Sequence, residues 1–170
     1  TGTDVPIPDG AEVIDGSGMT LLPGLIDSHT HVFGDALKRA LRFGVTTELD
    51  MFTSPETLGP SRERRRALGE QHVADLWSAG ILATAPGGHG TEYGMEIPTI
   101  DSPGQAPAFV DSRLEEGSDY IKIVYDDGGA FDMEFASIDR ATLEALVDAA
   151  HDRGVLAVVH VSDLDSARHA

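Results

Sequence analysis

From residue 25 onward, short apolar runs alternate with segments of helical periodicity, and this alternation limits the possible folds more than any other feature. The predicted strands are 25–32, 45–51, 81–85, 120–125 and 155–161, and the predicted helices are 36–43, 63–79, 108–116, 139–154 and 164–170. In the helix that begins at Asp139, apolar residues recur at i, i+3, i+4 and i+7 from Leu143. Strands that alternate with helices predict an α/β fold with a parallel sheet and right-handed crossovers.

Composition narrows the class of protein and its partners. An apolar fraction of 41% fits a globular chain, and residues 10–24 are expected to form short strands joined by Gly-rich turns. A formal charge of -17 argues against nucleic acid as a partner. The chain has no Cys, which excludes disulfides, zinc–thiolate sites and a cysteine nucleophile and is compatible with a cytoplasmic location. No apolar run is long enough to cross a membrane, so no membrane partner is expected.

Two histidines stand two residues apart at the end of the first predicted strand. Because side chains alternate along a strand, Asp27, His29 and His31 share a face with Leu25. Two imidazoles and a carboxylate at a strand end suit metal ligands and a supporting partner. The alternative is a pair of structural histidines, because His-x-His alone is a weak motif.

Lys122 lies within a run of β-branched residues in the fourth predicted strand. Burying an ammonium group there costs several kcal/mol unless it is neutralised or paired. Lys122 is therefore a candidate deprotonated base or imine-forming amine. The alternative is a side chain that extends from the strand to water.

The fifth predicted strand ends near His160, which shares a face with Leu156 and Val158. Alone, such a residue is more often a hydrogen-bonded core histidine than a ligand. In a barrel of parallel strands, however, polar residues at the carboxyl ends of strands converge on one mouth. The histidines of strands one and five would then face each other with Lys122.

Four sequence segments, taken together in their order along the chain, form a specific pattern. They are Pro-Gly-Leu-Ile-Asp-Ser-His-Thr-His at 23–31, Gly-Val-Thr-Thr at 44–47, Ile-Lys-Ile at 121–123, and 149–160 from Ala-Ala-His to the final His. Together they resemble the metal-dependent amidohydrolase superfamily. The loop 87–94 is similar to a loop in its imidazolonepropionase-like and prolidase-like branch. The resemblance implies a (β/α)8 TIM-type barrel beside a small β-sandwich, with 1–22 a remnant of the sandwich and 23–170 the first five β/α units.

The same resemblance implies the ligands of a binuclear metal centre. His29 and His31 would bind one divalent metal, His160 would bind the second, and Lys122, carboxylated by carbon dioxide, would bridge them. The carbamate would remove the cost of a buried ammonium group. Zinc is the leading metal, with manganese, iron and nickel open. The implied reaction is hydrolysis of an amide, lactam, ester or related bond of a small-molecule substrate by metal-activated water.

Three further residues are candidates for supporting roles. His89 and Tyr93 lie in the Gly-rich loop after the third predicted strand, where a barrel builds its substrate pocket, so one of them is expected to contact substrate. The alternative is that both only pack the loop. Asp27 is expected to orient a ligand histidine. His151 precedes the fifth strand on a helix and is expected to pack rather than bind metal.

The resemblance is incomplete. The family pattern also has a histidine after strand six and a general-base aspartate after strand eight, and no residue of this chain takes either position. Five strands cannot close an eight-stranded barrel, so the remaining strands are expected from the same longer chain or from a second chain, as in an oligomer. One alternative function is a noncatalytic half-barrel with a partial metal site. Another is an aldolase-type barrel with Lys122 as the imine-forming residue.

Overall fold

Strands and helices alternate along the chain in the structure, a computed structural model that describes residues 6–67 and 72–170. The strands are β1 Leu25–Thr30, β2 Val45–Asp50, β3 Asp75–Ser78, β4 Ile121–Val124 and β5 Ala157–His160. The helices are α1 Ala36–Arg42, α2 Leu58–Arg66, α3 Ala106–Glu116, α4 Arg140–Asp152 and α5 Leu164–His169. The α/β class is therefore confirmed, whereas the barrel with its count of β/α units stays a prediction.

All paired strands run parallel. β2 pairs with β1 on one side and β3 on the other, and β4 pairs with β5. Beyond β3, Ala83 makes an isolated bridge with β4: its N–H donates to the carbonyl of Lys122 (2.7 Å) and its carbonyl accepts from the N–H of Val124 (2.8 Å). Within each of the two sheets, the carboxyl ends of the parallel strands lie along the same edge.

The third strand is the main error of the sequence prediction, because β3 comprises Asp75–Ser78 and not residues 81–85. Leu76 and Ser78 are buried while Trp77 between them is exposed, which is the alternation of a strand. Gly80 then turns the chain with a φ of +63°. The buried segment after this turn reaches β4 only through an isolated bridge.

The predicted helix over 63–79 is also wrong, because α2 begins and ends earlier. Pro55 opens a single turn of 3-10 helix that leads directly into α2 at Leu58. The helix ends where Ala67 adopts an extended conformation with a ψ of 108°. Leu76 and Trp77 of the predicted helix belong instead to β3, and its residues 68–71 lie outside the described residues.

Local signals position α4 as predicted. Asp139 caps its first turn, with a carboxylate oxygen accepting from the N–H of Thr142 at 2.8 Å. The helix ends just before Gly154, whose φ of +71° suits a residue without a side chain. No helix in the described parts of the chain is long and apolar enough to span a bilayer.

The main core lies between β4 and the helices α3 and α4. Val110 of α3, Ile123 of β4 and Leu146 of α4 are all fully buried there. Burial of a side chain of this size contributes about 1.5–3 kcal/mol. This half of the molecule is therefore the better-anchored frame for side chains at the ends of β4 and β5.

The amino-terminal half is less covered. Leu25 and Ile26 of β1 are 62% and 63% exposed, and α1 buries no residue. Residues 10–24 form turns and extended segments and contain no strand, so the short strands predicted there are wrong. The division into a sandwich remnant at 1–22 and barrel units at 23–170 stays a prediction.

Candidate functional site

The two histidines of the first strand lie side by side where β1 ends. His29 is the last residue but one of β1, and His31 directly follows the strand. Their ring centroids are 5.9 Å apart with the planes at 70°. The pairing of β1 with β2 is irregular between Asp27 and Thr30, so strict alternation does not by itself set the direction of these side chains. Both imidazoles are exposed.

Lys122 is the second residue of β4 and is only 4% exposed. The alternative in which its side chain extends to water is therefore wrong. Burial disfavours the charged ammonium group and lowers the pKa of Lys122 to about 8. A substantial share of this amine is thus neutral in mildly alkaline solution.

Electrostatic interactions connect Lys122 to histidines at both ends of the array. Burial lowers the pKa of His29, and the nearby positive charges of Lys122 and His31 lower it further. The pKa of His160 is also lowered, by burial and then by Lys122. Lys122 thus acts electrostatically on the histidines of both β1 and β5, whereas the convergence of these side chains on one metal site stays a prediction. Their pKa values favour neutral imidazole, which is the form that binds a metal.

His160 is the last residue of β5 and contacts a buried carboxylate that sequence reasoning missed. Its Nε2 lies 3.2 Å from Oδ2 of Asp126, which is buried just after β4. The other oxygen of Asp126 accepts from the N–H of Gly128 at 2.7 Å. Apart from this contact with His160, Oδ2 has no hydrogen-bond partner among the described residues. The signal was available, because Asp126 follows a buried strand at its carboxyl end.

The Gly-rich loop after β3 brings His89 to the same place. The imidazole of His89 lies 5.3 Å from that of His160, and an equal distance from the ring of Phe135. Its Nδ1 is 2.6 Å from a carboxylate oxygen of Glu92, and its Nε2 is 3.4 Å from the hydroxyl of Tyr93. The loop is thus joined to the end of β5 by stacked rings and to its own residues by hydrogen bonds.

Glu92 fixes the loop that carries His89. Its second carboxylate oxygen accepts from the N–H of Gly90 at 2.6 Å. Burial alone would raise the pKa of Glu92, but backbone hydrogen bonds and the contact with His89 together lower it. The carboxylate therefore stays ionised and holds Nδ1 of His89, which leaves Nε2 facing Tyr93.

Asp27 contacts the first histidine differently from the prediction. Its carboxylate accepts from the backbone N–H of His29 at 3.1 Å, and no contact with the imidazole is observed in the described residues. Its charge does favour protonation of His29. Asp27 thus supports the backbone at the end of β1, whereas its predicted role in orienting an imidazole remains a prediction.

Two acidic residues of β2 also belong to this edge and were missed. Asp50 is fully buried, and burial raises the pKa of its carboxyl group. The carboxylate accepts from the N–H of Val32 at 2.8 Å and from the hydroxyl of Ser78 at 2.6 Å. Glu48 is 6% exposed, and its Oε2 has no hydrogen-bond partner in the described structure. Glu48 and Asp50 alternate along the end of β2 in the same way as the polar residues of β1. The same pattern could therefore have identified them in the sequence.

Comparisons with known proteins show similarity in fold and, over one short segment, in sequence. No protein-family profile matches the chain. A segment of 31 residues, 18% of the chain, is 58% identical to the dihydroorotase of Mycobacterium tuberculosis and covers 7% of that protein. The prolidase-like structure from Bifidobacterium longum is 27% identical over 98% of the chain, with a TM-score of 0.71. The chain is thus similar in fold to amidohydrolase and prolidase-like structures.

Two further structures extend this likeness at the level of the fold. An amidohydrolase structure matches 97% of the chain with a TM-score of 0.75 at 22% identity. A prolidase complexed with N-methylphosphonate-L-proline matches 98% with a TM-score of 0.77 at 19% identity. The chain covers 42% of the Bifidobacterium protein and 49% of each of these two. It therefore spans about half the length of the amidohydrolase structures it matches.

The side chains at this edge fit a divalent metal by their chemistry. Imidazoles that favour the neutral form and the buried carboxylate of Asp126 beside His160 are suitable donors. Across residues 6–67 and 72–170, however, no group of three or more His, Asp or Glu side chains is arranged to hold an ion.

Proposed function

We propose that this chain carries part of the active site of a metal-dependent hydrolase that cleaves an amide, lactam or similar C–N bond. The observation that supports this most is the burial of Lys122 next to His29 and His160. A buried ammonium group facing two imidazoles is unfavourable as it stands. Modification of the amine and binding of a cation would relieve this cost.

The proposed ligands are His29 and His31 for one divalent metal, His160 for a second, and Lys122 between them. Zinc is the first metal to test, since it binds imidazole and needs no redox chemistry. The neutral amine of Lys122 would attack carbon dioxide, forming a C–N bond and releasing one proton, so that a carbamate anion replaces the ammonium group. The pKa of about 8 makes the neutral amine accessible for this step.

When bound, the metal would supply the Lewis acidity that activates water and polarises the scissile carbonyl. The chain's own residues have the remaining roles. Without a bound metal, Asp126 would hold the ring of His160 through its contact with Nε2. His89, fixed through Nδ1 by Glu92, directs Nε2 and the adjacent Tyr93 towards a substrate. The general-base aspartate is proposed to come from outside this sequence.

The remaining strands of a barrel would cover the exposed edges. β1 and β5 each pair on one side in the described structure, and Leu156 beside β5 is 70% exposed. Exposed apolar strand edges associate readily with further strands. The matched structures are about twice as long as this chain, which supports a barrel completed by the same longer chain or by a second chain.

Metal binding and carbamate formation can be tested on the chain itself. Lys38 and Lys122 are its two lysines, so Lys38→Ala on the exposed face of α1 is a matched control for Lys122→Ala. Each protein is loaded with zinc with or without ¹³C-bicarbonate, dialysed and measured for zinc by mass spectrometry and for carbamate by ¹³C NMR. Retained zinc and a carbamate signal are expected in the parent and in Lys38→Ala. Both should disappear in Lys122→Ala.

Equal zinc retention in Lys122→Ala, or the absence of a labelled carbamate in the parent, would contradict the proposed metal site. Circular dichroism of each variant establishes that the fold is retained. The reaction itself is tested by measuring the hydrolysis of a panel of amides. The zinc-loaded protein is assayed together with the remaining barrel strands.

The noncatalytic half-barrel remains the second candidate, since no group of three His, Asp or Glu side chains in the described residues is arranged for a metal. It predicts an intact fold with no retained zinc in any of the three proteins. An imine-forming Lys122 would instead be trapped by borohydride in the presence of a carbonyl substrate, with Lys38→Ala again as the control.

A further inference from the structure

A cavity of about 650 Å³ opens beside the candidate metal ligands, between the ends of β1 and β2 and the loop after β3. His31 forms the part of its wall that adjoins the paired histidines. A volume of this size is typical of pockets for small molecules. The cavity is therefore placed to receive the part of a substrate that extends away from the reacting bond.

The wall of this cavity is aromatic and apolar. Phe33, Phe52, Tyr93 and Met95 contribute most of its large side chains. The rings of Phe52 and Tyr93 are 5.9 Å apart, and Met95 packs against the buried cluster that contains Phe52. This packing gives the cavity a fixed apolar surface on the side of β2 and the loop.

The polar groups of the wall carry no permanent charge. Thr53 and Ser54 contribute hydroxyl groups, and none of the described residues that line the cavity is Lys, Arg, Asp or Glu. A charged substituent that packed against this wall would lose part of its hydration without meeting an opposite charge, which is unfavourable. An apolar substituent would gain from burial against the aromatic side chains.

We infer that this cavity, the apolar subsite, binds an uncharged aromatic or branched apolar substituent of the substrate and rejects charged ones. This assignment rests on the proposed function, because His31 is taken to border the reacting centre. It identifies Phe33 as a specificity-determining residue. Phe33 is 67% exposed, so it can be replaced without disturbing the core.

The test measures binding without turnover. Chelator-treated protein is titrated with N-acetyl-phenylalanine amide and with its 4-carboxy and 4-aminomethyl derivatives, followed by protein NMR. The neutral probe is expected to bind about tenfold or more tightly than either charged probe. Phe33→Arg should shift the preference towards the carboxylate probe, and Phe33→Asp towards the aminomethyl probe, each by about tenfold. Phe43→Arg is the matched control, because Phe43 is 81% exposed at the end of α1, outside the cavity wall.

Equal binding of the three probes, tighter binding of a charged probe, or no binding of any probe overturns the apolar subsite. So does a response to the Phe33 variants no larger than that to Phe43→Arg. Charge discrimination in a protein that retains no zinc would support the subsite while contradicting the proposed metal site. Zinc retention with hydrolysis but no discrimination would contradict the subsite alone.

Discussion

Replacing Lys122 by Met should make the metal-free chain more stable at neutral pH. Lys122 is 4% exposed and lies between the fully buried Ile121 and Ile123. Methionine has a similar length and no charge, so it fills the same space in β4 without a buried ammonium group. A residue retained despite its cost to stability is typical of a functional site.

The magnitude follows from the pKa of the amine. Burial lowers the pKa of Lys122 from 10.5 to about 8, and because each pKa unit corresponds to about 1.4 kcal/mol, the protonated folded state is disfavoured by about 3 kcal/mol. Between these pH values the unfolded chain binds more protons than the folded chain, so the parent's free energy of unfolding rises with pH. The advantage of Lys122→Met is therefore full below pH 8 and disappears by about pH 10.5.

Urea denaturation from pH 6 to pH 10.5 measures this difference in chelator-treated protein under carbon-dioxide-free conditions. Lys38→Met, at an exposed position of α1, is the control and should change little with pH. A Lys122→Met protein that is less stable than the parent at pH 7 would refute the reasoning. A stability difference that is constant across the whole range would also refute it.

Three further substitutions test contacts of the fold. The first two are measured as changes in the free energy of unfolding by urea denaturation, and the third by light scattering. Ser78→Ala removes the hydroxyl that donates to the buried carboxylate of Asp50, so we expect a loss of about 1–3 kcal/mol, and no loss would contradict that contact. Leu146→Ala opens a cavity in the main core and should cost about 2–5 kcal/mol, whereas a cost below 1 kcal/mol would contradict its burial. Ile26→Lys places a charge on the exposed strand β1 and should reduce self-association in light scattering, unlike Ile14→Lys outside the strands.

The sequence predicts elements well where a local signal is strong. The start of α4 follows from Asp139, which caps the helix as its position suggests, and the end follows from Gly154. Strands β1, β2, β4 and β5 each lie within the predicted ranges. These elements combine a clear apolar pattern with a turn or capping residue at the boundary, so two independent signals agree.

The third strand could not be located in this way, since its strongest local pattern is misleading. Residues 81–85 are apolar apart from Thr84 and are all buried, yet only Ala83 makes a bridge. The actual strand carries a charged residue, Asp75, and an exposed Trp77 that stacks under the guanidinium group of Arg65 at 4.1 Å. Such a strand depends on neighbours from α2 and β2, which no window of the sequence contains.

The candidate site likewise combines residues that local sequence patterns identify with contacts that depend on the tertiary structure. Positions on single strands identify His29, His31, Lys122 and His160 as candidates, and the family resemblance alone implies their metal-binding roles. In the structure, the charge of Lys122 acts on both His29 and His160. The stacking of His89 on His160 could not be predicted, because a long loop must fold back across the end of β5. Contacts of this kind depend on the path of the backbone and not on the spacing of residues.

The two halves of the candidate site differ in how firmly the fold holds them. Lys122 and His160 extend from strands beside the main core, whereas His29 and His31 extend from β1, whose residues are mostly exposed. The histidine pair is joined to the rest through the pairing of β1 with β2 and through Asp50, which accepts from the backbone N–H of Val32. Strands that cover β1 would therefore order the pair more than they would affect the lysine. Metal affinity should accordingly rise on barrel completion through ligands already present in this chain, in addition to any new ones.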